Sequence, residues 1–563
     1  MEITDLTPAE RRVREAFPLG EGVDLREGPE DDPAAGAAWG PERTVRAEVL
    51  RALLVDGDSR AGEIAGLKLS GARITGRLDL RYGVVQHSIR LRSCYFAEGP
   101  MLYGAQLRAL VLSDSVLPAF TAAALRVEGV LRMSRCRIAG PVRLAGSQIA
   151  GAVFLDGARL GGSLDDPDPS EVPNCSDGPD GPDGLNASDG PDGPDGLNAS
   201  DGPDGPDGLN ASDGPDGPNA SDGPDCSDGS HAPDPPDPAA LQEPALELNQ
   251  VSVGNDIAAA GLVCHGQVRL NGAIVTGEVN LNDAVLHHPG HDALHAETLS
   301  VGTDLRAMRL RAHGRVNVSG ARIPRHLNLA HARLRNPGGQ ALRASSCVIG
   351  ELWLREAAPI EGVVNLRGSQ VDLLHIAPET WPDRVRIDGL SYRRLTPDLP
   401  AEQRLPVLER EVSGYLPYAY EQLTAAYRIA GDDAAARTVQ LAKLRRHRRT
   451  LPRYARAWGH LQDITVGYGF RPMRAAGWLL ALLLTGATAF ALVHPRPLKA
   501  DEAPDFNPVF YTVDLLLPIA DFGQQSAFAP QGWAQWLSYA LIVTGWILAT
   551  TIAAGITRSL SRQ

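Results

Sequence analysis

An eleven-residue phrase recurs without gaps through the regular parts of the chain: apolar–x–apolar–x–x–small–x–apolar–x–x–x. VRLAGSQIAGA from Val142 is followed at once by VFLDGARLGGS from Val153, and LKLSGARITGR from Leu67 by LDLRYGVVQHS and IRLRSCYFAEG. The phrase returns downstream at Val268, Val279, Val316, Leu327, Trp353 and Val364. No α-helix explains this spacing. The apolar pair at its first and third positions alternates with period two, as a short strand does. Glycine and small residues after the pair mark tight corners. A unit this short cannot bury its apolar face alone and must stack on its copies. The chain is therefore expected to be mainly β, a parallel β-solenoid with two phrases, about twenty-two residues, to a coil. Two blocks carry the phrase, 65–163 and 241–395, enough for about eleven coils.

Between them, residues 164–240 obey another rule. SDGPDGPDGLNA begins at Ser176, Ser188 and Ser200. Glycine recurs at every third position, but Ala187 and Ala199 interrupt the run, which a collagen axis does not tolerate. The aspartate spacing is not that of an EF-hand loop. The composition implies an acidic, disordered insertion looping out of one coil, because both flanks keep the same grammar. It also hides the balance of charge. The chain carries a net −14, yet residues 164–238 hold nineteen Asp and one Glu without a single Lys or Arg, so the remainder stands at +6.

Residues 1–64 read as an N-terminal helical cap. Thr7-Pro8-Ala9-Glu10 is a capping-box start, and a second helix is expected over Pro41 to Val55, with Val45, Val49, Leu50, Leu53 and Leu54 on one face. Such helices would cover the strand edges and core that a solenoid leaves open at its end. Met1 to Phe17 lacks the apolar run of a signal peptide, which points to a reducing compartment. Residues 396–470 turn helical. YEQLTAAYRIAGDDAAARTVQLAK, with Gly431 as its break, reads as an α-hairpin resembling one tetratricopeptide unit and is expected to lean on the solenoid's last coil. Its basic end, Arg445, Arg446, Arg448 and Arg449, suits anionic lipid better than nucleic acid.

Residues 471–563 hold two uncharged apolar segments, about 475–493 and 533–556, expected as transmembrane helices. Arg471 and Arg474 precede the first and Arg558 and Arg562 follow the second, while the loop between is acidic. The positive-inside rule then places both termini in the cytoplasm and the protein in the plasma membrane.

Candidate chemistry is sparse. His287, His288, His291 and His295 form a run with Asp292 and Glu297, a donor set suited to zinc or nickel. Pro289-Gly290 inside the run marks a solvated corner instead. Thr465-Val466-Gly467-Tyr468-Gly469 matches a potassium filter, but it precedes both apolar segments and reads as a hinge. The six cysteines form no CxxC pair; Cys94, Cys136 and Cys347 occupy the phrase's small slot as core residues. No dinucleotide or P-loop glycine motif, no HExxH and no GxSxG is present, so no cofactor and no catalytic residue is identifiable.

The small-x-apolar relation at Ala72/Ile74, Cys94/Phe96, Cys136/Ile138, Ala321/Ile323 and Cys347/Ile349 resembles that of pentapeptide-repeat proteins. The resemblance implies a right-handed quadrilateral β-helix, although the step here is eleven rather than five. MEITDLTPAERRVREAFP, GARITGRLDL and GYGFRPMRAAGW also resemble a group of actinobacterial membrane proteins carried under the label "membrane-associated oxidoreductase". The leading expectation is a membrane-anchored cytoplasmic solenoid acting as a protein-binding scaffold. The alternatives are an oxidoreductase, as the resemblance implies, and an oligomeric channel or gate. The expected partners are the lipid bilayer and a protein, with no nucleic acid; homo-oligomerisation stays open.

Overall fold

The computed structural model describes residues 5–28, 31–57, 61–162, 243–450, 452, 472–499, 504–517 and 521–560, without the side chains of 472–476 and 551–560. Each eleven-residue phrase supplies two short strands, so two phrases make a four-sided coil. Val142–Arg143, Gln148–Ile149, Val153–Phe154 and Arg159–Leu160 are the four sides of one coil. Every side pairs in parallel with the same side of its neighbours: Gln148 with Arg126, Val153 with Leu131, Arg159 with Arg137. That step is twenty-two residues, as the phrase requires, and the stack runs for about eleven turns.

Positions one, three, six and eight point into the shaft. In one phrase these are Val142, Leu144, Ser147 and Ile149, all at most 1% exposed. Two corners complete each phrase. At the first, the fifth residue is left-handed, Gly146 at φ 67° and Gly157 at φ 62°, but Ala124 and Arg135 hold the same conformation at φ 56°. At the second corner the issue is space. A Cβ on Gly129 would lie 2.9 Å from the Arg108 carbonyl oxygen, and one on Gly151 would lie 2.5 Å from that of Gly129. Asparagines tie the corners vertically: the Asn249 carboxamide accepts from the Asn271 N–H, and that of Asn271 from the Glu297 N–H.

The phrase placed at Trp353 starts one residue earlier. Leu352 and Leu354 point inward, and Trp353 faces out, because a one-residue slip in a strand exchanges the faces.

Register passes across the acidic insertion without a slip. Arg159–Leu160 pairs with Arg137–Ile138 on one side and Val263–Cys264 on the other. Leu246–Glu247 pairs with Val142–Arg143 and Val268–Arg269. The coil closes on itself, and the insertion, 164–240, lies outside the described residues apart from its flanks.

At the N-terminal end, α1 (Pro8–Ala16) has the expected capping box. Its Glu10 is buried and holds Arg46 at 2.8 Å; burial raises the Glu10 pKa, but the Arg46 and Thr7 hydrogen bonds outweigh it and hold the carboxyl below its usual range. The second helix, α2, is shorter than the expected Pro41–Val55 stretch and begins only at Ala47 (Ala47–Asp56). Thr44–Arg46 instead pairs with Arg73–Thr75, and Gly22–Asp24 with Lys68–Ser70. The cap thus adds strands of its own, which satisfy the edge groups of the first full coil.

At the other end lie α3 (Ala401–Glu409), α4 (Pro417–Ile429) and α5 (Asp433–Thr450). Val407 of α3 and Ala419 of α4 join the solenoid core, while Tyr420, Leu423, Tyr427, Ala436 and Val439 form a second core. Glu411 accepts the Ile387 N–H at 2.7 Å and helps close the last edge.

The C-terminal region corrects one expectation. It contains α6 (Pro472–Leu492), α7 (Pro508–Leu516), α8 (Gln524–Ala527) and α9 (Trp533–Leu560). Among the described residues no helix is long and apolar enough to cross a membrane. The two transmembrane helices expected at 475–493 and 533–556 are therefore not supported, nor are the plasma-membrane location and the topology with cytoplasmic termini. Gln535, Ser538, Tyr539, Thr544 and Thr550 dilute the apolar run of α9. Apolar side chains are also spent within the region: Phe490, Tyr511, Leu515, Phe528, Ala534 and Leu541 bury one another. Arg471, Arg562 and the side chains of Arg474 and Arg558 lie outside the described residues, as does Thr465–Gly469.

Candidate functional site

The histidine run sits on Val285–His295, a strand that swells into a bulge between His287 and Asp292. The bulge splits the four rings into three places. His287 points along the stack, between His265 at 5.8 Å and His313 at 5.3 Å, one ring per coil. His288 stacks on His291 at 4.9 Å. His295 bonds Asp292 at 2.6 Å, and Arg315 takes the other carboxylate oxygen. Among the described residues no group of three or more His, Cys, Asp or Glu could hold a metal. Burial, then neighbouring rings, lower the His287 pKa; burial, then Arg335, lower that of His313.

The same widened corner recurs two coils later in Arg333–Arg343. There the Asn336 side chain donates to the Gln340 carbonyl at 2.8 Å, where His288 reaches the Asp292 carbonyl at 2.9 Å. Gly314 and Gly362 lie over the two loops at φ 132°, where a side chain would strike the loop carbonyls.

A second polar cluster escapes sequence reasoning because its members are far apart in the chain. Asp304, 2% exposed, accepts from the His326 ring at 2.8 Å and from its backbone N–H at 3.0 Å. Burial raises the Asp304 pKa, yet these bonds outweigh it and hold the carboxyl below its usual range. The His326 ring lies 3.5 Å from Glu351, which accepts the Trp353 indole N–H at 2.8 Å. Trp353 in turn lies 5.8 Å from the His375 ring. The only sequence signal was columnar: Trp353 and His375 share one side, and His326 and Glu351 the corner before it.

An open groove of about 410 Å³ runs down another side. Arg126, Gln148, Ser252 and Ile274 stand outward along it on successive coils, and Ile274 is 57% exposed. The four described cysteines, Cys94, Cys136, Cys264 and Cys347, are buried. Burial pushes the first three thiols up to about 12 and also raises Cys347, which removes them from thiol–disulfide chemistry. Arg445, Arg446, Arg448 and Arg449 fall in the last turns of α5.

These features define a four-sided parallel β-solenoid closed by helical elements at both ends. Comparison with protein-family models, curated proteins and solved structures finds no match.

Proposed function

We propose that the chain is a non-catalytic scaffold that presents the face of its solenoid to a protein partner. The groove carries this reading. It spans four coils, about 14 Å at the ordinary strand spacing, and combines an exposed apolar side chain, Ile274, with Arg126 and Glu128 on its rim. That combination suits an extended peptide segment, with an apolar side chain seated at the Ile274 end and charged groups towards Arg126 and Glu128. The pentapeptide-like coil supports the same reading, since its regular faces offer surface rather than an enclosed site. The oxidoreductase alternative gains nothing from the buried thiols. The test is a photoreactive amino acid placed at position 274, compared with one at Arg132 on the adjacent side. Cross-linking to one partner from position 274 alone, abolished when Arg126→Glu accompanies the probe, supports the groove. Equal cross-linking from both positions, or none from position 274, refutes it.

A further inference from the structure

The last coil and the helices that close it do not meet flush. Between strand Ser391–Thr396, α3 and α4 lies a cavity of about 40 Å³, room for roughly three water-sized groups at 10–15 Å³ each. Its walls are mostly apolar, Leu390, Leu395, Val407 and Trp381 among them, with Tyr392 as a polar neighbour of the one charged side chain that lines it, Arg404. Arg404 is only 7% exposed. Its guanidinium donates to the Pro397 carbonyl and to Tyr427, whose own hydroxyl donates to the Leu399 carbonyl at 2.6 Å. No carboxylate pairs with Arg404 among the described residues, and the acid that acts on it at longer range, Asp398, is exposed.

A buried charge without a counter-charge is costly and is ordinarily paired. The guanidinium fork matches a carboxylate in two parallel hydrogen bonds, a geometry that a point cation does not offer. The space admits a carboxylate and a carbon or two, and the apolar walls reject a second charged group. We propose that this cavity binds a small monocarboxylate of the acetate or propionate class, its oxygens on Arg404 and its alkyl end against Leu390 and Leu395. Occupancy would fasten α3 and α4 to the last coil, so the ligand would tighten the C-terminal closure.

Saturation-transfer NMR and calorimetric titration of the full chain test this, with acetate, propionate, inorganic phosphate and chloride as probes. Saturation of the acetate or propionate protons and a saturable heat are expected, with neither chloride nor phosphate competing. Arg404→Met should weaken binding at least about tenfold, the scale of a charge-assisted bidentate pair. Because that variant disturbs a buried residue, Leu395→Phe provides the second arm: it keeps the guanidinium, fills the cavity and should also abolish binding, with circular dichroism unchanged. Absence of saturation transfer in the unaltered chain overturns the proposal. So does undiminished binding in both variants, or equal competition by chloride or phosphate.

Discussion

Replacing Gly151 with Ala tests the close stacking of the second corner. The new Cβ would stand 2.5 Å from the Gly129 carbonyl oxygen and 2.8 Å from its carbonyl carbon. Ordinary contact needs more than half an ångström beyond that. The obstacle is backbone, pinned because the Gly151 N–H donates to that same Gly129 carbonyl at 2.9 Å. Overpacking of this kind costs about 1–3 kcal/mol, and straining the hydrogen bond adds about 1 kcal/mol. Alanine recovers about 0.4–1 kcal/mol by restricting the unfolded chain. The net loss is about 2 kcal/mol, close to a thirtyfold faster exchange of the amides that open with this corner. Hydrogen exchange read by mass spectrometry on peptides within 120–160 should show it, while peptides within 316–345 should not change, since each coil touches only its neighbours. Gly28→Ala is the control, with nothing within 4 Å of its Cβ. Unchanged protection in 120–160, or an equal effect of Gly28→Ala, would refute the stacking argument.

Three further outcomes follow from the same geometry. Fusing Gly162 to Ala245 leaves three residues between Arg159–Leu160 and Leu246–Glu247, as Ala139, Gly140 and Pro141 do one coil before; the shortened chain should keep its circular dichroism spectrum, and an unfolded product would contradict the unbroken register. His287 and His313 have lowered pKa values, so the folded chain binds fewer protons than the unfolded one. Their contribution to stability is complete above about pH 6.5 and fades as the pH falls below it; urea titrations at several pH values should show that slope, and His287→Gln with His313→Gln should flatten it. Ala124→Gly relieves a left-handed alanine at φ 56° and should raise stability by up to about 1 kcal/mol, measured as a higher urea midpoint with unchanged slope.

The shaft was legible because its first strand carries two inward apolar residues and alternates visibly. The second strand of each phrase, such as Gln148–Ile149, carries only one, so the four-sided plan had no periodic signature of its own. The left-handed corners at Ala124, Arg135 and Arg309 were silent because no glycine or asparagine announces them. Gly22–Asp24 and Thr44–Arg46 are three residues each, too short for any pattern to register. Closeness in sequence does not bring the four rings of the histidine run together; as Pro289-Gly290 implied, they lie at an exposed corner. Neighbours along a strand face opposite ways, whereas His265, His287 and His313 meet because they share a column. Likewise a hydropathy window sees the leucines of α6 but not Tyr511 and Phe528, which pack beside Phe490.

Where the chain leaves a corner and returns, as between Leu160 and Leu246 or across His288–His291, the strands before and after keep their partners. The core is therefore blind to what is hung outside it. New sequence can be acquired, lengthened or lost at such sockets without renegotiating a single interior contact, so the outward decoration of this protein is free to change far faster than the frame that bears it.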